Sequence, residues 1–297
     1  MTTTTEVLTP TDRLGLTRML QRLTADSRFL AGGTDLVRSM ANEHLRPDLI
    51  LDLSAVRELA GVRLEDGALR VGATATFARL EADQLVRQHA RCLSDAASLV
   101  GSRQIRNVAT VGGNVANASP CGDSIPALLA LGAEAEIWDG DGRTVRKPIQ
   151  DVLAGPGRTT LRSDQMIAAF VCQTLGDGAR AAFVKIGCRS TVAVARLSMA
   201  VIVDYDPDAG LLSGARVALG AVGSMAFRDE LVEAALNNRP AEARTAQRFA
   251  EGCIEAVCRS IPGRYSLPYK RLAVRALAYD AWNALQVCPS CEPACWD

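Results

Sequence analysis

Apolar residues recur at three- and four-residue intervals through Leu14, Leu16, Met19, Leu20 and Leu23. That spacing predicts a helix, which Thr11 is placed to cap after the turn at Pro10. Residues 28–31 read as a short strand broken by Gly32-Gly33, residues 34–37 begin another helical turn, and residues 49–53, after Pro47, predict a second strand. Further along, residues 70–76 predict a strand, a helix starts at Phe77, and another helix spans about residues 86–99. Residues 101–124 read as a long loop rich in Gly and Asn. Loops beyond about 12–15 residues tend to be functional or disordered. Disorder fits badly, because Ile105, Val108, Val111 and Val115 are spaced as packed residues. An apolar helix over 125–131 and a hairpin around Asp139-Gly140-Asp141-Gly142 follow.

Past Gly178 the pattern changes to strands at 181–186, 198–205 and 215–222, with a turn at Asp206-Pro207-Asp208-Ala209-Gly210 and helices from 228 to 285. Sequential strands followed by helices predict a separate α+β domain. The chain divides into residues 1–55, 56–177 and 178–287, with a cysteine-containing tail at 288–297.

With 297 residues, 48% of them hydrophobic, the chain can bury a sizeable core. Its formal net charge is zero, so there is no basic excess for a nucleic-acid backbone or an anionic membrane surface. The opening MTTTTEVLTPTDR lacks the basic and apolar regions of a secretory signal, and no run of about 20 apolar residues occurs. A cytoplasmic protein without a membrane span is expected. Nine cysteines, an odd number, are scattered without the density of a disulfide scaffold and read as small hydrophobes in a reducing compartment.

Two segments carry chemistry: Leu30-Ala31-Gly32-Gly33-Thr34-Asp35-Leu36, and the stretch containing Thr110-Val111-Gly112-Gly113-Asn114, Ser119 and Asp123. Adjacent glycines ahead of a helix let backbone N–H groups approach an anion without interference from Cβ atoms. Two such loops facing one another can hold a pyrophosphate. Thr34, Thr110, Asn114 and Ser119 add donors, while Asp35 and Asp123 can accept from sugar or ribityl hydroxyls. Neither loop has the spacing of a Rossmann or Walker site. Each Gly-Gly taken alone is as readily a simple tight turn.

At these residues the sequence resembles the FAD-binding subunits of the molybdenum hydroxylase family, which includes xanthine dehydrogenase and aerobic carbon monoxide dehydrogenase. AGGTDLV and TVGGNVANASPCGDSIPALLAL are similar to that family's two pyrophosphate loops. RQIRNVAT, RPDLILDLSAVREL, VGATATFARLE, FVKIGCRS and VALGAV extend the likeness over about residues 8–285. The resemblance implies an α+β architecture: an FAD-binding fold of the vanillyl-alcohol oxidase type in two α/β subdomains, plus a C-terminal three-stranded antiparallel sheet with helices. It implies that residues 30–36 and 110–114 hold the diphosphate and that Asp123 bonds a cofactor hydroxyl. It further places the Ile167 backbone against the flavin and Lys185 at the pyrimidine end of the ring; outside the family, Lys185 reads as an ordinary exposed strand lysine. Cys121 and Phe227 depart from residues frequent in relatives.

The implied role is electron transfer through noncovalent FAD. Electrons arrive from [2Fe–2S] clusters on an iron–sulfur subunit, with the molybdenum cofactor on a further subunit, in a dimer of heterotrimers, and leave to NAD or another acceptor. No acid–base or nucleophilic constellation assigns a catalytic residue to this chain. His44 and His89, its only histidines, lie outside both loops. Cys288, Cys291 and Cys295 are an incomplete ligand set, so no metal site is assigned. A stand-alone flavin oxidase or reductase would need an aromatic or His-rich lining, and aromatics are only 4% of the chain. A redox-inactive nucleotide-binding scaffold is the reading from another class.

Overall fold

In the computed structural model, which describes residues 5–189 and 191–287, the first unit is strand β1 (Glu6–Leu8), helix α1 (Arg13–Leu20), strand β2 (Arg28–Leu30), helix α2 (Leu36–Asn42) and strand β3 (Leu49–Asp52). The Cys288, Cys291 and Cys295 tail lies outside the described residues. The three strands form a parallel sheet in the order β1-β3-β2, with Val7 opposite Ile50 and Phe29 opposite Leu51. β1 escapes the apolar pattern because it is short and largely exposed. Asp12, not Thr11, caps α1: its Oδ1 accepts the Gly15 N–H at 2.7 Å. A carboxylate is favoured where the first helical N–H groups carry partial positive charge. The core around Leu16, Leu20, Leu51 and Leu59 is closed by Trp138, Met166 and Ala168 from the second unit.

That unit opens with a hairpin of β4 (Val62–Glu65) and β5 (Ala68–Gly72), turned at Asp66 and Gly67, both at positive φ. β4 is mostly exposed and gives no hydrophobic signal. Helix α3 (Phe77–Ala82) is followed by α4 (Gln84–His89) and α5 (Arg91–Ser98), where the pattern predicts one helix. Ala90, at φ −147° and ψ 48°, separates them and lets α5 turn Cys92, Leu93, Ala96 and Ala97 into the core.

Residues 101–124 are not a continuous loop. They contain α6 (Arg103–Val108) and α7 (Val111–Ala116), each capped by a hydroxyl. Ser102 Oγ accepts from Ile105 N–H at 3.3 Å and Thr110 Oγ1 from Gly113 N–H at 3.2 Å. Helices this short show too little of the 3.6-residue period to be read from sequence. After the fully buried α8 (Ser124–Ala130) come β6 (Glu134–Asp139), β7 (Thr144–Pro148), α9 (Ile149–Val152), β8 (Leu153–Gly155), β9 (Arg158–Thr159) and β10 (Gln165–Gln173). β10 is the middle strand of a five-stranded antiparallel sheet ordered β4-β5-β10-β6-β7. It is buried on both faces from Met166 to Cys172, so it has no alternation to reveal it.

The third unit is an antiparallel meander of β11 (Ala179–Gly187), β12 (Ala195–Asp206) and β13 (Leu211–Gly220), as the pattern predicts. Two short strands, β14 (Phe227–Arg228) and, after α10 (Glu230–Ala234), β15 (Arg239–Pro240), widen the sheet by pairing with β13. With α10, helices α11 (Ala243–Ser260) and α12 (Leu267–Leu285) cover one face, where Met199, Val201 and Val203 meet Phe249 and Trp282. The alternate residues Ala200 and Ile202 point to the other face and join the core of the second unit. Among the described residues no helix is long and apolar enough to cross a membrane.

Candidate functional site

Gly32 has no room for a side chain. A Cβ there would lie 2.1 Å from the Val108 carbonyl oxygen, so glycine is what lets the β2–α2 loop rest on the turn between α6 and α7. Gly112 does the same against Ala73, whose Cβ would be 2.6 Å from an added one. These glycines thus bring backbones together, in addition to any space they leave for an anion. Gly33, at φ +71°, turns the chain so that its carbonyl accepts the Val37 N–H at 2.9 Å and opens α2. The N–H groups of Thr34 and Asp35 are left without an acceptor among the described residues. The Asp35 carboxylate is turned to Arg38, 3.7 Å away.

The two loops face a common cleft of about 800 Å³. From the first loop, residues 31–36 line it; from the second, Thr110, Gly112, Gly113 and Asn114; from β10, Ile167. Phe29, Leu45, Phe77, Val100 and Leu161 supply apolar wall. A mostly preformed cleft of this size with a few convergent polar groups is what a large cofactor requires. His44 and His89 are not among its lining residues.

The backbone donors of the second loop are already engaged. Val111 N–H goes to Ala75 O at 3.1 Å, Gly112 N–H to Ala73 O at 2.8 Å, and Gly113 N–H to Thr110 Oγ1. What this loop offers is Asn114, whose Oδ1 accepts from Ser124 Oγ at 2.6 Å and whose amide N–H groups remain to donate.

Behind Asn114 lies a buried ion pair. Asp123 stands at the start of α8, next to Ser124, and Lys185 reaches it from β11, with Nζ 2.5 Å from Oδ2. Lys185 also donates to Leu99 O at 3.1 Å. The side chains are 7% and 6% exposed. Burial pushes the Asp123 carboxyl up to about 6, against the pull of Lys185. Its second oxygen, Oδ1, is buried without a partner, a state that costs free energy until a donor arrives. Lys185 therefore does not line the open cleft: a buried ammonium needs its charge matched, and Asp123 and Leu99 do so.

Four other expected residues lie off the lining, and Asp123 is one of them, buried behind Asn114 with its partner Lys185. Leu30 ends β2, with its carbonyl accepting Leu53 N–H at 2.8 Å; Val111 is buried; Ser119 Oγ accepts Cys121 N–H at 3.3 Å and holds the turn before α8. Sequence reasoning misses Thr24, Ser27 and Arg28 at one end of the cleft, and Leu161, Ser163 and Gln165 on another wall. Those segments carry no glycine pair and no periodicity, so nothing local marks them.

FAD fits this donor set. Orphan N–H groups at Thr34 and Asp35 and the Asn114 amide suit phosphate oxygens, the unpartnered Asp123 Oδ1 suits a hydroxyl, and the apolar wall suits a flat ring.

Comparison with known proteins agrees. Residues 3–171 match the family model of the FAD binding domain in molybdopterin dehydrogenase, and residues 182–285 that of the CO dehydrogenase flavoprotein C-terminal domain. The nicotinate dehydrogenase FAD-subunit of Eubacterium barkeri is 30% identical over 252 residues, 84% of each chain. The putative xanthine dehydrogenase FAD-binding subunit of Escherichia coli is 32% identical over 234 residues, 78% of this chain and 79% of that one. A chain of the carbon monoxide dehydrogenase from Hydrogenophaga pseudoflava superposes with a TM-score of 0.86 at 25% identity, covering 94% of this chain and 96% of that one. With both family models and these relatives in agreement, the chain belongs to the molybdenum hydroxylase family as its FAD-binding subunit, a component of an oxidoreductase.

Proposed function

We propose that this chain relays electrons within a multi-subunit hydroxylase. Substrate is oxidised at a molybdenum cofactor on one partner, electrons pass through [2Fe–2S] clusters on another, and FAD on this chain delivers them to NAD or another acceptor. The assembly is a cytoplasmic dimer of heterotrimers and the FAD is noncovalent. The observation that carries this reading is the cleft itself: two glycine loops pressed together, with unpaired donors on one side and the orphan Asp123 Oδ1 behind the other. The division at residues 1–55, 56–177 and 178–287 belongs to the same reading and is supported by three main sheets, each drawn from one of those ranges.

When bound, FAD supplies a carrier that accepts electrons singly and can release them as a hydride. The chain's own residues bind and orient. Thr34 and Asp35 N–H groups and the Asn114 amide donate to the diphosphate, with the rest of residues 30–36 and 110–114 shaping the loops. Ser119 holds the turn that sets Asp123, whose free oxygen accepts from a cofactor hydroxyl. Ile167 places backbone against the ring. Lys185, held by Asp123 behind the cleft, would supply positive charge that favours an anionic reduced form of the bound cofactor. No side chain is asked to transfer a proton.

The test is the absorbance spectrum of the purified chain before and after acid precipitation, repeated with co-expressed partner subunits. Releasable flavin on the chain alone, with iron–sulfur absorption only in the complex, is the expected result. A colourless protein that rejects FAD even with partners present would refute the reading.

A further inference from the structure

One face of the third unit is unusually basic for a chain of zero net charge. No Asp or Glu occurs between Asp177 and Asp204, or between Glu255 and Asp280. The first of these segments holds Arg189 in the β11–β12 connection and Arg196 at the start of β12; the second holds Arg264 just before α12 and Arg271 and Arg275 on it. Among the described residues none of these five arginines has an ion pair.

Apolar side chains stand out from the same face. Val194 is 72% exposed, Leu272 67% and Tyr265 96%, with Val192 and Tyr269 about half exposed. Tyr269 and Leu272 are three residues apart and share one side of α12, following Tyr265. Arg196 joins the two segments. Its Nε donates to Cys188 Sγ at 3.1 Å, and it lies within electrostatic range of both Tyr265 and Tyr269. The connection is held in a costly shape: Val192, a β-branched residue, sits at φ +51°, with its carbonyl clamped by Arg189 at 2.6 Å. A Cβ on Gly187 would lie 2.4 Å from that of Ala193, so Ala193 rests closely on the end of β11.

This face is wired to the Asp123–Lys185 pair. Lys270 of α12 donates to the carbonyls of Ala221 and Val222 at 2.5 and 2.8 Å, and the Ala221 N–H donates to Pro120 O at 3.0 Å, three residues before Asp123. On the other side, Lys185 is two residues before Gly187, where the β11–β12 loop begins. A partner seated here would rest on both segments that position the pair.

We infer that the face formed by Val192, Val194, Tyr265, Tyr269 and Leu272, with its arginine rim, docks the acidic surface of the partner subunit that delivers electrons. The inference deepens the proposed relay function and rests on it. Charge complementarity selects an acidic partner, and continuity with Lys185 selects the subunit that must approach the flavin. Exposed tyrosines and arginines around an aliphatic centre are the composition of a protein interface hot spot; side chains that stand out into solvent, in contrast, do not form a concave small-molecule site.

The experiment co-expresses the tagged full chain with the iron–sulfur and molybdenum subunits of its complex. Tyr265→Ala and Leu272→Glu are compared with the unaltered chain for flavin content, melting temperature, iron content, assembled mass and association affinity at low and raised salt. Both positions are exposed, so flavin content and melting temperature are expected to hold while association weakens at least about tenfold for each substitution. Raised salt should slow assembly of the unaltered complex. Variants that assemble as well as the unaltered chain overturn the docking face and leave the relay function standing. An unaltered chain that assembles with no such subunit overturns both. Variants that keep the iron–sulfur subunit but lose a second copy of this chain, or lose only acceptor reduction, overturn the inference and assign the face to that copy or acceptor.

Discussion

The Asp123–Lys185 pair makes the protein's own stability depend on pH in an unusual direction. An exposed aspartate titrates near 3.8, whereas burial holds Asp123 up to about 6 in the folded protein. The folded state thus binds the proton more tightly than the unfolded one. Stability from this group is full below about pH 4 and is lost as pH rises through about 6. At about 1.4 kcal/mol per pH unit, the difference between 3.8 and about 6 amounts to about 3 kcal/mol lost by pH 7. Lys185 offsets burial only partly, as its pull fails to bring the carboxyl back to its ordinary value. The double variant Asp123→Asn/Lys185→Met removes both charges at similar volume. Urea unfolding of flavin-free protein from pH 4.5 to 7.5 should show the difference between double variant and unaltered chain growing in the variant's favour by about 2 kcal/mol, the part of the full effect that falls in that window. A difference that is flat, or that grows in favour of the unaltered chain as pH rises, would show that burial does not dominate at Asp123. Lys185→Met alone should lose about 3–5 kcal/mol at pH 7, because it strands the carboxylate.

Because a cofactor hydroxyl would satisfy the ionised Asp123, FAD affinity measured by flavin fluorescence should tighten from pH 5 to pH 7, and Asp123→Asn should flatten that dependence. Gly32→Ala places a Cβ against the Val108 carbonyl and should force the two loops apart, with a loss of about 1–3 kcal/mol in denaturant titration and an FAD affinity at least about tenfold weaker. Arg70→Met removes the nearest partner of Glu136, at 2.8 Å, and leaves it Trp138 at 3.1 Å and the half-exposed Arg146 at 3.7 Å; about 2–3 kcal/mol should be lost, with one FAD per folded chain retained.

Local chemistry is what a sequence displays, and here it was rich in two places. Adjacent glycines beside hydroxyl and amide side chains mark where a backbone must pass close to something, and both pairs border the cleft. The apolar run along residues 199–203, rich in β-branched side chains and closed by the turn at 206–210, marks a strand, and β12 is that strand, buried against a different neighbour on each face. What the sequence did not display are features whose cause is distant in the chain. β10 is hidden because burial on both faces erases the two-residue period, and α6 and α7 because each is shorter than the window in which a helical period emerges. Gly32 reads as space for an anion, yet it is the Val108 carbonyl, far along the chain, that forbids a side chain there. Lys185 taken alone reads as an ordinary exposed strand lysine, yet it is buried, and only the packing of α8 against β12, the strand beside β11, brings Asp123 to it. The sequence by itself determined which backbone positions and which donors are available; the tertiary structure alone decided which donors are already consumed by the protein, because desolvation and charge pairing are properties of neighbours in space.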